Sequence, residues 1–272
     1  MFNFSYFRGR AAPRTPTTPS FDFGRLLNWK ILRGSHEFPG PDGGTCVNEA
    51  AIVAAGYPYT PVRRIDDCPL SFSRPLALYA MCLNEIVLDD TLRQELLLPF
   101  VTRLAGSADT AEVDMQRVAL ILQRTVAEIV PDAFDWLGRS REARRCRAVA
   151  TADEAVVVVK AMIGQEWRGA RLSGLMSSLS MATEDYLAAR AMDVAQYSGT
   201  AIADVAEIIG SVGGRGAAKA AEAVYRRGAA ILDGALKIGS RAEPIAVDLV
   251  AQRMDTVRRS AVTERRAAMV VD

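Results

Sequence analysis

Apolar residues recur along this chain at the spacing of a helix. Phe72, Leu76, Tyr79, Leu83 and Val87 stand at i, i+4, i+7, i+11 and i+15, one stripe of a 3.6-residue period. Val118, Leu122, Val126 and Ile129 form another stripe. So do Leu172, Leu175, Leu179, Ala182 and Tyr186, and so do Val250, Met254, Val257 and Ala261. Half of the 272 residues are apolar but only 7% are aromatic. The core must therefore be built mainly from Ala, Val, Leu and Ile, which suits closely packed helices. The chain reads as an all-α, multi-helix protein of two packed helical halves with an extended N-terminal arm.

Punctuation residues divide it further. Residues 1–20 begin with Phe2, Phe4, Tyr6 and Phe7 and continue through Pro13, Pro16 and Pro19; such a run fits neither a helix interior nor a central strand and is expected to be an arm. A short helix is expected through Phe23, Leu26, Leu27 and Ile31. A second runs from about Cys46 to Ala55, with Thr45 as N-cap and Gly56 at its end. A helix from about Asp90 to Leu104 is expected to be kinked or divided at Pro99, with Asp89 or Asp90 capping it and Gly106 closing it. Pro131 stops another. Asp109 with Glu112, and Thr151 with Glu154, read as capping boxes. The valines at 156–159 favour a strand by propensity, but the cap and the flanking alanines favour helix. The arginine-rich run at 139–147 marks a boundary. The expected order is an arm at 1–20, an N-terminal helical domain at 21–137, a basic connector at 138–150 and an Ala-rich C-terminal helical domain at 151–272.

Charge and cysteine usage bound the function. A formal net charge of +1 argues against polyanion binding as a property of the whole chain. All but four of the 33 basic residues are arginine, the others being Lys30, Lys160, Lys219 and Lys237; GC-rich bacterial coding explains that bias most simply. Cys46, Cys68, Cys82 and Cys146 lack C-x-x-C spacing. No apolar run is long enough to cross a bilayer, and no signal peptide is visible. Reduced thiols in a cytoplasm are expected.

Chemistry concentrates in the stretch from His36 to Glu49, which holds the one histidine of the chain. Two glycines and a capping threonine place Cys46 in the first turn of a helix, where free N–H groups and the helix dipole favour a thiolate. His36 can serve as base, with Asn48, Asp42 or Glu49 to orient it. The candidate catalytic set is Cys46, His36 and Glu49. Against it stands the ordinary alternative of a tight turn followed by a small buried cysteine. His36, Cys46, Cys68 and Cys82 have zinc-ligand chemistry but lack the close ligand pairs of a structural site; no metal is expected. The glycine-rich segment at 210–216 lacks the Gly-Lys-Ser/Thr ending of a phosphate loop and reads as an interhelical loop, so no cofactor is expected. Asn84, Glu85, Asp89 and Asp90, and Asp66 with Asp67, carry no accompanying histidine motif. Arginines at 139–147, and Arg258, Arg259, Arg265 and Arg266, are interspersed with Glu142 and Glu264, as on solvated helix faces with i, i+4 pairs.

Two resemblances attach to these residues. Gly43-Gly44-Thr45-Cys46 resembles the cysteine-bearing helix start of papain-like, transglutaminase-like and arylamine acetyltransferase enzymes, but those families place their histidine after the cysteine and none follows here. The stretch 43–50, with Asp67-Cys68-Pro69 and the segment 97–106, resembles an uncharacterised family of actinobacterial and proteobacterial proteins over about residues 34–125. That likeness implies a bacterial source and an N-terminal helical module, and no mechanism.

The expected function is a non-catalytic helical interaction or assembly protein of a bacterial cytoplasm, self-associating or binding a protein partner. The alternative is a thiol-dependent acyl transferase or hydrolase using Cys46 with His36. A second alternative is nucleic-acid binding through the arginine-rich helices, although nucleic acid is not the expected partner.

Overall fold

A computed structural model describes residues 30–36, 44–163, 167, 169–239 and 244–270. The expected arm, the residues 21–29 and Asp42 lie outside the described residues. The fold is all-α, with one small sheet among the described residues, in the order β1 (Lys30–Ile31), β2 (Gly44–Thr45), α1 (Val47–Ala54), α2 (Arg74–Ile86), α3 (Asp90–Leu97), α4 (Ala111–Arg124), α5 (Val130–Trp136), α6 (Ser140–Arg147), α7 (Ala152–Ile163), α8 (Ala170–Leu187), α9 (Ala191–Val212), α10 (Ala217–Ala235) and α11 (Val247–Val270). Ile31, expected in a helix, instead pairs in parallel with Thr45. Among the described residues no helix is long and apolar enough to cross a membrane.

Most of the caps follow local chemistry. Asp89 accepts a hydrogen bond from the Leu92 N–H at the start of α3. Thr151 Oγ1 accepts from the Glu154 N–H ahead of α7, while the Glu154 carboxylate accepts from the Ala150 N–H rather than from that of Thr151, so only one half of the expected box forms; the four valines are helical. Thr110 rather than Asp109 caps α4, which leaves Asp109 near the guanidinium of Arg117. α3 ends at Leu97, and a 3₁₀ turn over Leu98–Phe100 carries Pro99.

Pro131 does not stop its helix. α4 runs through a π-helical stretch, Thr125–Ile129, directly into α5. A proline lacks the N–H for the helical ladder, and its ring crowds the carbonyl four residues back. Widening one turn, so that Val130 bonds back to Thr125, lets the chain keep its direction.

α9 is the centre of the molecule. It packs against α8, α10, α2, α4 and α5, and its Ile202, Val205 and Ile209 lie in one core with Leu76, Tyr79 and Leu83 of α2, Ile121 and Leu122 of α4, and Ile231 and Leu232 of α10. The segments before and after residue 138 therefore share a hydrophobic core. Residues 138–150 contain α6, which buries Ala143 and Cys146 against the body. Arginines bridge the same seam: Arg226 to Glu95 at 2.7 Å, Arg227 to Asp132 and Arg103 to Asp233.

Small residues set the spacing at the centre. A Cβ added to Gly199 of α9 would lie 2.6 Å from the Cβ of Cys82 on α2, and one added to Gly228 of α10 would lie 2.9 Å from Leu83. Gly199→Ala should therefore destabilise the protein by about 1–3 kcal/mol through overpacking. Gly210→Ala lies on the same helix with nothing within 4 Å and should be neutral or stabilising by up to about 1 kcal/mol. Thermal melts of the two variants check this pair.

Candidate functional site

The first turn of α1 is where the sequence places its chemistry. Cys46, not Thr45, is the N-cap: its backbone is extended, and its Sγ accepts from the Glu49 N–H at 3.4 Å. Glu49 returns the bond, its Oε2 accepting from the Cys46 N–H at 2.8 Å. This is a capping box with a thiol in place of the usual hydroxyl. Thr45, freed from capping, lies in β2 and donates its hydroxyl to Glu49 Oε2 at 3.3 Å.

The other carboxylate oxygen of Glu49 collects three more donors. Oε1 accepts from Ser35 Oγ at 2.8 Å, the His36 N–H at 3.0 Å and the Val62 N–H at 3.0 Å. Five donors from three separate chain segments thus converge on one fully buried carboxylate. Among the described residues it has no cationic partner. Tyr59 closes the group, donating its hydroxyl to the His36 carbonyl at 2.8 Å. Asn48 and Asn84 extend the network. Asn48 Nδ2 donates to the Ala77 carbonyl, while Asn84 accepts from the Val47 N–H and donates to the Leu32 carbonyl.

The electrostatics oppose ionisation of the thiol. Burial pushes the Cys46 thiol well above its usual range, and the neighbouring Glu49 charge pushes it the same way. Tyr59 is raised by the same two causes in the same order. The expected thiolate at a helix N-terminus is therefore not what this environment favours. All residues of α1 are buried, so the helix start faces protein and not solvent.

The candidate residues are partly brought together. Glu49 bonds Cys46 and His36, but it reaches His36 through the main-chain N–H rather than the imidazole. Among the described residues no hydrogen bond joins the His36 ring to the Cys46 thiol, and His36 Nε2 is buried without a partner. Cys68 is buried and Cys82 half-buried, and desolvation pushes each thiol up to about 11. No group of three or more His, Cys, Asp or Glu among the described residues is placed to hold a metal ion. The glycine-rich segment closes α9 and opens α10 as an interhelical turn.

Sequence reasoning passed over Ser35, Tyr59 and the Val62 amide, whose roles arise only when distant segments meet. It also passed over two fully buried arginines. Arg93 donates to the Asn84 carbonyl at 2.8 Å and to the Val87 carbonyl, covering the C-terminal end of α2. Arg117 reaches the Ser107 carbonyl at 2.7 Å and the Ile238 carbonyl at 3.1 Å, tying α4 to the end of α10. The Cys-x-x-Glu spacing was a legible signal for the capping box, hidden because cysteine is not among the usual capping residues.

Compared with known proteins, the chain matches no family model, no curated protein and no solved structure. The site therefore rests on its own geometry.

Two outcomes test this description. Glu49→Gln replaces an acceptor oxygen by a donor NH₂ facing buried donors, and each stranded group costs about 1–3 kcal/mol; urea denaturation should show a loss of about 3 kcal/mol or more. Cys46→Ser retains a capping oxygen and should change stability by less than about 1 kcal/mol. Alkali gives the second outcome. The unfolded thiol titrates near about 8.5, whereas Cys46 and Cys146, the latter pushed up to about 12 by burial, remain protonated in the fold. Their contribution is complete below the unfolded value and is lost as pH rises toward the folded one. Stability should fall between about pH 8.5 and 10.5 by up to ~1.4 kcal/mol per pH unit per thiol. Urea midpoints against pH should fall less steeply in a Cys46→Ser variant.

Proposed function

We propose that this chain is a non-catalytic interaction or assembly protein of a bacterial cytoplasm. The observation that carries the reading is the use made of Glu49. The stretch with the strongest chemical signature serves as a structural junction, with its carboxylate committed to five donors and its thiol held neutral. Four free cysteines, three of them buried, suit a reducing compartment.

The surface through which it would associate lies away from the small-residue contacts of α9 and α10. The small residues Gly199 and Gly228 are spent on helix contacts inside the fold. A better candidate surrounds the contact of α11 with α1. There Val53, Tyr57, Pro58, Leu249 and Val257 line an open groove of about 480 Å³. Tyr57 bonds Ser71, the neighbour of Leu70, and Leu70 is 87% exposed. Exposed apolar surface of this kind marks association sites.

Light scattering from about 5 to 500 μM should show mass rising with concentration, and a Leu70→Glu/Leu249→Glu variant should remain monomeric. A strict monomer over that range that also recovers no protein partner would overturn the reading. The thiol-enzyme alternative requires Cys46 to be activated. Iodoacetamide labelling at Cys46 should instead show a midpoint well above the free-thiol value of about 8.5. A midpoint below that value would favour the enzyme.

A further inference from the structure

We propose that the outer face of α6 is a docking surface for a nucleic-acid backbone. The segment at 139–147 holds five arginines and one glutamate, a net +4 in a chain of net +1. In the fold it is an amphipathic helix whose inward face is Ala143 and Cys146. Arg141, Arg144 and Arg145 point outward and are exposed. Their i, i+3 and i+4 spacing places them on one face, about 5–6 Å apart at Cβ.

The ordinary explanation for such a run is pairing with local acids, and the structure does not supply it. Glu142 makes no ion pair among the described residues, and neither do these three arginines. Nearby acids are engaged elsewhere: Asp135 holds Arg147, Asp132 holds Arg227, and Glu154 accepts from the Ala150 N–H. Elsewhere this chain places arginines on acceptors, as at Arg93, Arg103, Arg117, Arg124, Arg190 and Arg226. Nor does the helix dipole account for the set. It favours Arg144 and Arg145 in the last turn but opposes Arg141 in the first.

The partner follows from what the face offers. A membrane-surface helix needs a free apolar side to enter the lipid boundary, and the apolar side of α6 is already buried against the body. What remains are guanidinium forks, whose geometry matches phosphate oxygens. Beside them Arg139 stacks over the half-buried Trp167 at 5.0 Å, holding an aromatic edge at the margin of the basic face. Sequence-independent phosphate contact is the recognition mode of such a surface.

Fluorescence anisotropy of the full chain with labelled duplex and single-stranded DNA of about 30 residues tests this. Binding should appear at about 50 mM salt and weaken as salt rises, with a log–log slope near −3 for duplex, about 0.9 per phosphate contact. Arg141→Gln/Arg144→Gln/Arg145→Gln should weaken binding about 10-fold or more at about 0.1 M salt. It should also flatten the slope by about one per lost contact, with an unchanged circular dichroism spectrum. Arg226→Gln, whose parent side chain is held by Glu95 and Glu222, should leave both quantities unchanged. Absence of binding at low salt would overturn the proposal. So would undiminished binding by the triple variant, or capture by phosphatidylserine vesicles without binding to DNA. None of these outcomes bears on the association reading, which light scattering decides separately.

Discussion

A carboxylate with no cationic partner among the described residues holds the N-terminal part of this fold together. Taking such a group out of water costs several kcal/mol even after relaxation, so Glu49 is tolerable only because its lone pairs are filled by five donors. Hydrogen bonds to an ionised acceptor are the stronger kind, about 1.5–3 kcal/mol each, and together they offset that cost. The donors come from the segment after β1, from β2 and the cap of α1, and from the loop before the 3₁₀ turn at Ile65–Asp67. Glu49 therefore does for these loops what a small sheet would otherwise do. The sheet itself has two residues per strand, too few to fix the segments alone.

Buried guanidinium groups serve the same end elsewhere. Arg93 and Arg117 are each 1% exposed; Arg93 satisfies carbonyls at the C-terminal end of α2 that lack intrahelical partners, and Arg117 satisfies the loop carbonyls of Ser107 and Ile238. Arginine suits this role because its planar fork reaches several acceptors at once without losing its charge. The arginine-rich composition thus has a structural use that coding bias alone does not describe. Arg117 joins α4 to the end of α10, and close contact at Gly199 brings α9 onto α2. Polar stapling and small-residue packing act on the same seam, which explains how chain segments far apart in sequence share a core.

What was legible in the sequence was local. The stripes through Leu76 and Leu83, through Val118 and Leu122, and through Leu175 and Leu179 became buried helix faces, because helical period and burial are two aspects of one constraint. Asp89 and Thr151 cap as their residue types predict, whereas the Glu154 carboxylate reaches one residue further back, to the Ala150 N–H. The misplaced features depend on partners distant in sequence. Ile31 became a strand residue because Thr45 pairs with it. Thr45 was released from capping because the Glu49 carboxylate took its hydroxyl. Pro131 remained inside a helix because neighbouring helices hold α4 and α5 in line while one turn widens. At 139–147, charge pattern alone did not reveal that Ala143 and Cys146 form a buried stripe just wide enough to anchor a helix.

Cys46 shows how magnitude decides between two valid local arguments. A helix N-terminus stabilises a nearby anion by about 0.3–1 kcal/mol, and by about 2 kcal/mol in favourable partly buried geometry. Desolvation of a buried ion costs several kcal/mol, and the nearby Glu49 carboxylate adds a like charge that outweighs the Glu49 N–H donated to the thiol. The dipole argument holds where the thiol faces a cleft with a cation or an imidazolium at hand. Here the helix is buried along its whole length, and the lone histidine offers its main chain to Glu49. The same residue spacing that makes a nucleophile in an open site makes a neutral cap in a closed one, and burial selects between them.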